Sequence, residues 1–184
     1  MAKVDVSLTR ATRLLTPGPV TLLTAQYKGK KNVMAAGWAM PISSNPPMVA
    51  VAVHPGRYTY GLIEKSGDFA LNIPARPLAE KVKKAGDLSG ADVDKFLQLG
   101  LTPYEGKQVT APLIAECVGH LECGVVERVP GGDHVLFLAQ VVAASAEETA
   151  FDGEKWTLVD EEVKPLHHLG GSVYAILEAP LVIS

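Results

Sequence analysis

The residue types best suited to chemistry lie between Lys31 and Asn72. Arg57 and Thr59 stand just before a short helical pattern. A helix start offers unpaired N–H groups and a partial positive charge. An arginine fork and a hydroxyl added there make a cradle for an anion such as a phosphate. The plainer alternative is that Thr59 caps the helix and Arg57 is a surface charge. Upstream, Ala35, Ala36, Gly37 and Ala39 surround Trp38, and small residues let the main chain approach a flat ring closely. Pro41, Pro46 and Pro47 then bracket Ile42, Ser43 and Ser44. Prolines stiffen a loop and limit regular pairing, so N–H and C=O groups stay free to grip a planar heterocycle. The alternative is an irregular edge segment carrying a packed tryptophan.

Other chemistries lack their residues. The histidines are His54, His120, His134, His167 and His168, and none shows H-x-x-x-H or H-E-x-x-H spacing. His120 and Glu122 share one strand face by the two-residue period, but Val118 and Gly124 flank them, so no metal site is expected. His134 opens a strand after Gly131-Gly132-Asp133, where it either faces a ligand or caps the turn; the turn is the favoured role. Cys117 and Cys123 sit six residues apart in one predicted strand. At ~3.3 Å per residue that is roughly 20 Å, beyond the ~7 Å Cα reach of a disulfide, so two buried thiols are expected. There is no G-x-S-x-G elbow, Walker loop or G-x-G-x-x-G fingerprint.

With 184 residues, 47% of them apolar, the chain suits a single domain, 1–184, with a sizeable core. A formal net charge of −3 does not suit a nucleic-acid surface. The charged start MAKVDVSLTRATRLL lacks an apolar h-region, and no run approaches about 18 apolar residues. Neither a secretory leader nor a membrane span is expected, which leaves the cytoplasm.

Strands are predicted over Val20–Gln26, Asn32–Trp38, Met48–Val53 and Phe69–Ile73, with Tyr27–Lys31 as a hairpin connection. Gly61–Lys65 reads as a helix with Thr59 at its N-cap and Gly67 past its end. Arg76–Leu99 holds two helical segments, interrupted at Gly86–Gly90. Ile114–Val129 reads as one long strand, turning at Pro130–Asp133 into His134–Ala144, and Val173–Leu177 is a terminal strand. Strands, then helices, then strands point to a mainly β chain with α, an α+β or barrel-type domain.

Taken in order, several segments resemble the flavin reductase-like family, flavoredoxin type. They are N-V-M-A-A-G-W-A-M-P-I-S (Asn32–Ser43), N-P-P-M-V-A-V-A-V (Asn45–Val53), R-Y-T (Arg57–Thr59) and S-G-D-F-A-L-N-I-P (Ser66–Pro74). S-G-A-D-V-D-K-F (Ser89–Phe96), L-E-C (Leu121–Cys123) and G-D-H (Gly132–His134) continue it, from about Pro17 to Tyr174. The resemblance implies an FMN-binding split β-barrel with peripheral helices, usually a homodimer with FMN near the subunit interface. It implies that Trp38, Ala39, Met40, Pro41, Ile42 and Ser43 line the isoalloxazine and ribityl chain. It assigns Arg57 and Thr59 to the phosphate, sets Asn32, Asn72, Ser89 and Gly90 among the cofactor-binding residues, and puts His134 on the nicotinamide or substrate side as the candidate catalytic group. The implied activity takes hydride from NAD(P)H and passes electrons to free flavin, ferric iron or a partner protein. An FMN-binding electron carrier without NAD(P)H activity and a non-catalytic barrel binding module are the alternatives.

Overall fold

The computed structural model describes residues 2–178 and 183. In chain order the strands are β1 (Gly18–Pro19), β2 (Thr21–Tyr27), β3 (Lys30–Ala36), β4 (Ala39–Ser44), β5 (Pro47–Val53) and β6 (Asp68–Ile73), then β7 (Pro103–Tyr104), β8 (Leu113–Ile114), β9 (Gly119–Gly131), β10 (His134–Ala146), β11 (Leu166–Gly170) and β12 (Val173–Ile176). Helix α1 (Tyr58–Ser66) lies between β5 and β6, while α2 (Ala79–Asp87) and α3 (Lys95–Leu99) lie between β6 and β7. A 3-10 helix, Leu8–Leu15, precedes β1.

The seven-stranded sheet has the order β3-β2-β6-β9-β10-β5-β4, and every pair in it is antiparallel. β3 and β5 approach each other without pairing, so the sheet curls toward a barrel that hydrogen bonds do not close. Side chains alternate across β2. Leu23 and Ala25 join Val51, Ile63, Phe69 and Phe137 on one face. Leu22 joins Val33, Val82, Ala85, Phe96 and Leu99 on the other. Each large apolar side chain fully buried this way contributes about 1.5–3 kcal/mol. Helix α1 therefore seals one face of the sheet and α2 with α3 the other. Edge strand β3 passes between the two helical layers, and the functional residues gather there.

Several local expectations hold. Lys28-Gly29 joins β2 to β3 as a two-residue hairpin with both residues at positive φ (+49° and +77°). Helix α1 stops where Gly67 turns left-handed at φ +76°, its N–H reaching Ile63 O at 2.9 Å. Gly132-Asp133 links β9 to β10, and the α2–α3 interruption, expected at Gly86–Gly90, begins two residues later and runs over Leu88–Asp94 because α2 extends through Asp87.

Others need correction. The Pro41–Pro47 segment is not an unpaired loop: residues Ala39–Ser44 form β4, paired with β5 and bulged between Pro41 and Ser43. Pro41 is tolerated because β4 is the last strand of the sheet, where a missing donor costs little. Thr59 is not the N-cap of α1; Arg57 holds that position with extended dihedrals, and Thr59 sits buried in the first turn. The predicted Ile114–Val129 strand divides into β8 and β9. Between them Cys117 N–H turns back to Ile114 O (3.1 Å), and the Glu116 carboxylate takes the Thr102 N–H and hydroxyl. Cys117 thus lies in the β8–β9 connection and Cys123 in β9, both free and buried. Burial raises both thiols, Cys123 to about 12.

Candidate functional site

Where β3, the start of α1 and the α2–α3 connection meet, they enclose a cavity of about 270 Å³. Asn32, Arg57, Thr59, Ser89, Gly90 and Lys95 are on its wall. Asn32 and Thr59 are buried, and the Asn32 amide donates to Thr59 Oγ1 at 2.8 Å. That bond occupies an acceptor site of the threonine and leaves its own O–H free to donate elsewhere. Gly90 approaches so closely that a Cβ there would fall 2.2 Å from Asn32 Oδ1. Only glycine lets this connection close over the asparagine. Ser89 Oγ holds the turn by accepting from Ala91 N–H (3.2 Å).

Two cations face the same cavity. Arg57 is exposed at the helix start and pairs with no carboxylate among the described residues. Lys95 is only 4% exposed, and its ammonium donates to Ala85 O at 2.7 Å. Loss of hydration first, and the Arg57 charge second, push its pKa down to about 8. Two mutually repelling cations, a free hydroxyl and the first-turn N–H groups of α1 face a cavity whose one carboxylate, Asp87, is exposed and paired with Lys83, an arrangement with the chemistry to hold a compact anion. Residue typing alone missed Lys95. A lysine between Val93 and Phe96 on an apolar helical face was the available signal.

Further along the same run of chain lies a second, mostly apolar cavity of about 320 Å³. Gly37, Trp38, Ala39, Met40 and Ala52 line it, and Leu15 of the N-terminal 3-10 helix closes one side. Trp38 remains 49% exposed and Met40 56%. Trp38 O accepts from Ala52 N–H (2.9 Å), which holds this end of the segment against β5. Pro41, Ile42 and Ser43 continue along β4 beyond this cavity. The outer edge of β4 faces no neighbouring strand, so main-chain polar groups are free there because of its edge position rather than through proline disruption.

His134 reaches the Trp38 end: the two ring centres are 4.7 Å apart. Its Nδ1 hydrogen-bonds Asp133 Oδ1 at 2.7 Å. That bond is the main cause holding the Asp133 carboxyl below its usual range. His134 thus flanks the turn and also touches the tryptophan. His54, not singled out from sequence, packs edge-on against it at 5.4 Å, its own Nδ1 accepting Gly56 N–H (2.9 Å).

Asn72 stands elsewhere. It is fully buried in β6, donating to Leu22 O (2.8 Å) and Thr24 Oγ1 (3.2 Å) and accepting from Ile114 N–H (2.9 Å). Its amide is consumed tying β2, β6 and β8 together and lies on neither cavity wall. His120 and Glu122 are likewise held by main chain, His120 Nε2 with Ile114 O (2.9 Å) and Glu122 with the N–H groups of Gln108 and Val109.

An antiparallel barrel left open on one side defines a split-barrel protein, here with a cationic cavity and an apolar slot on the same run of chain. The model of the flavin reductase like domain matches residues 13–176, and the chain belongs to that family. It is 42% identical over 134 residues to an uncharacterised protein of Archaeoglobus fulgidus, covering 73% of this chain and 76% of the relative. The fold is similar to that of flavoredoxin from Methanosarcina acetivorans (TM-score 0.87, 31% identity, 100% of this chain and 96% of the other). It is also similar to an FMN-binding domain of a flavin reductases-like enzyme from Shewanella baltica (TM-score 0.83, 28% identity, 98% and 97%). No helix among the described residues is long and apolar enough to cross a membrane.

Proposed function

We propose that this chain binds FMN and transfers reducing equivalents from NAD(P)H to an acceptor: free flavin, ferric iron or a partner protein. The phosphate is held by Arg57, Lys95 and the Thr59 hydroxyl, with Asn32, Ser89 and Gly90 shaping the cradle. The ring system lies against Trp38, Ala39 and Met40 and continues along Pro41, Ile42 and Ser43. The observation that carries this reading is the pair of cations, Arg57 and Lys95, sharing one cavity whose single carboxylate, Asp87, is exposed and already paired with Lys83 at 2.6 Å. Such a pair is unfavourable until a dianion enters, and the FMN phosphate is one of the right size and charge.

Bound FMN supplies the redox chemistry; the protein supplies position and charge. The helix start and the two cations fix the anionic tail. Trp38 and the outer edge of β4 support a flat ring and offer main-chain donors to an electron-rich edge. Asp133 holds His134 through Nδ1, so Nε2 is the nitrogen left to exchange a proton beside Trp38. The protein works as a cytoplasmic homodimer of a single domain.

The test is direct. Purified protein is mixed with FMN, freed of excess and scanned in the visible range; flavin absorbance that stays with the protein is expected, and a colourless protein removes the cofactor. Rapid mixing with NADH and NADPH then separates the enzyme, which bleaches quickly, from an electron carrier, which does not.

A further inference from the structure

Charge is segregated along this chain. Between Tyr27 and Lys65 it holds five lysines and arginines against one acid, Glu64. Between Glu147 and Glu162 it holds seven acids against one base, Lys155. The fold gathers four of the five bases around a groove of about 680 Å³ next to the cationic cavity, and Gly56, Arg57 and Tyr58 line both. Lys28 and Lys30 come from the β2–β3 hairpin and Lys65 from the last turn of α1. All three are exposed, and none of them, nor Arg57, pairs with an acid among the described residues. The single acid on the groove wall, Glu64, is engaged by Arg128 at 2.8 Å. One short turn joins this groove to the ring end. His54 packs against His134 at 5.4 Å, Gly56 N–H donates to His54 Nδ1 at 2.9 Å, and Pro55, Gly56 and Arg57 are on the groove wall.

We infer that this groove docks an acidic protein, and that this protein is the electron acceptor of the reaction proposed above. The lysines are exposed and come from separate elements, whereas the small-anion cradle beside them buries its lysine and its hydroxyl. Charge spread in this way steers and orients a large surface of opposite sign rather than gripping one small group. Tyr27, Tyr58 and Tyr60, half-buried on the groove wall, add a residue type enriched at protein contacts. A net charge of −3 counts against a nucleic acid as the occupant. Position gives the partner its role: a protein seated in the groove touches Pro55 and Gly56, next to His54 and the Trp38–His134 pair. Electrons supplied by NAD(P)H leave to the partner's own redox centre, which is the oxidant of the step. The inference rests on the flavin reading and narrows its three acceptors to one.

Apoprotein and FMN-loaded protein are each immobilised and exposed to two haem proteins of opposite charge, an acidic b-type cytochrome and the basic cytochrome c. At about 10 mM salt, where charges act over about 30 Å, the acidic cytochrome should bind both forms and the basic one neither; at about 150 mM, where the range is about 8 Å, binding should fall by about tenfold or more. Reduction of the acidic cytochrome by NAD(P)H and FMN-loaded protein should show the same salt dependence. The triple variant Lys28→Asn, Lys30→Gln, Lys65→Gln should lose about tenfold or more in both readouts, while FMN affinity and flavin bleaching by NAD(P)H stay within about twofold. None of the three lysines lines the cationic cavity, and asparagine tolerates the left-handed position of residue 28. Unchanged binding in the variant, or equal binding of the two cytochromes, overturns the docking site. So does head-to-tail self-association at low salt that the variant abolishes, because the occupant is then the acidic Glu147–Glu162 segment of a second copy. FMN uptake without cytochrome binding overturns the docking site and leaves the flavin reading intact. Cytochrome binding without FMN uptake overturns the flavin reading and, with it, the partner's role as acceptor.

Discussion

The two ends of the site are built differently. The dianion end is enclosed: Asn32 and Thr59 are bonded to each other, Gly90 is in tight contact with the asparagine, and Lys95 is buried with its ammonium aimed at a main-chain carbonyl. The ring end is open: Trp38 and Met40 are about half exposed, and β4 is an edge strand. A preorganised cradle loses little on binding, so affinity is concentrated there. On the proposed function, an exposed slot beside His134 would keep the reacting face accessible to a second molecule. The contrast shows that one end is built to enclose and the other to stay open; if the first grips and the second reacts, as proposed, substitutions at the two ends should separate the two tasks.

The sharpest break comes at Gly90. In Gly90→Ala the methyl group would meet Asn32 at 2.2 Å, so either the asparagine or the α2–α3 connection must move. Overpacking of this kind costs about 1–3 kcal/mol of stability, and FMN affinity should fall by two orders of magnitude or more, measured by thermal melting and dialysis. Gly61→Ala is the control: nothing lies within 4 Å of its Cβ position. It sits inside α1, so the change should stabilise by roughly 0.5–1 kcal/mol.

Lys95→Met comes next. Loss of a charge-assisted contact should weaken FMN by about 1.5–3 kcal/mol, read by titration. Wild-type protein also offers a pH test with opposite signs. The folded pKa of Lys95 lies near 8, below the 10.5 usual for a lysine. Between those values the unfolded chain holds more protons, so the stability of the unliganded fold contributed by this group rises with pH. A bound dianion favours the charged lysine, so FMN affinity should decline above pH 8, by at most about tenfold per unit. Affinity that stays flat from pH 7 to 10 would detach Lys95 from the ligand.

Arg57→Ala should cost less than Lys95→Met, toward the lower end of about 1.5–3 kcal/mol, because the guanidinium is exposed and screened by solvent. High salt should narrow the difference between wild type and this variant while leaving the Lys95 effect largely in place.

Trp38→Ala sits at the open end and should have the smallest effect on affinity, about 0.5–1.5 kcal/mol for a lost aromatic contact. Its larger effect should be on the reaction, because the His134 ring loses the surface it packs against. A variant that keeps FMN but slows bleaching by NAD(P)H confirms the division between the two ends. A variant that loses FMN as completely as Gly90→Ala contradicts it.

What could be read from the chain alone followed from local rules. The Lys28-Gly29 hairpin, the stop of α1 at Gly67, the Gly132-Asp133 turn and the β-then-α-then-β order all depend on backbone preferences within a few residues. Arg57 and Thr59 could be paired for the same reason, being two positions apart at a helix start. Tertiary structure alone decided the rest. Lys95 and Gly90 join Asn32 and Thr59 only because α2 and α3 pack on one face of the curled sheet and α1 on the other, which brings their connecting turns to the same edge. Asn72 was set beside the ligand by the resemblance of its segment, yet its strand is interior, and a buried amide must satisfy its own donors and acceptors where it stands. β4 was read as unpaired from its prolines, but pairing on one edge needs only alternate N–H groups, and the curl of the sheet supplied the partner strand. Local conformation is encoded by neighbours in sequence; whether a polar side chain faces a ligand or the core depends on which distant segments pack against it.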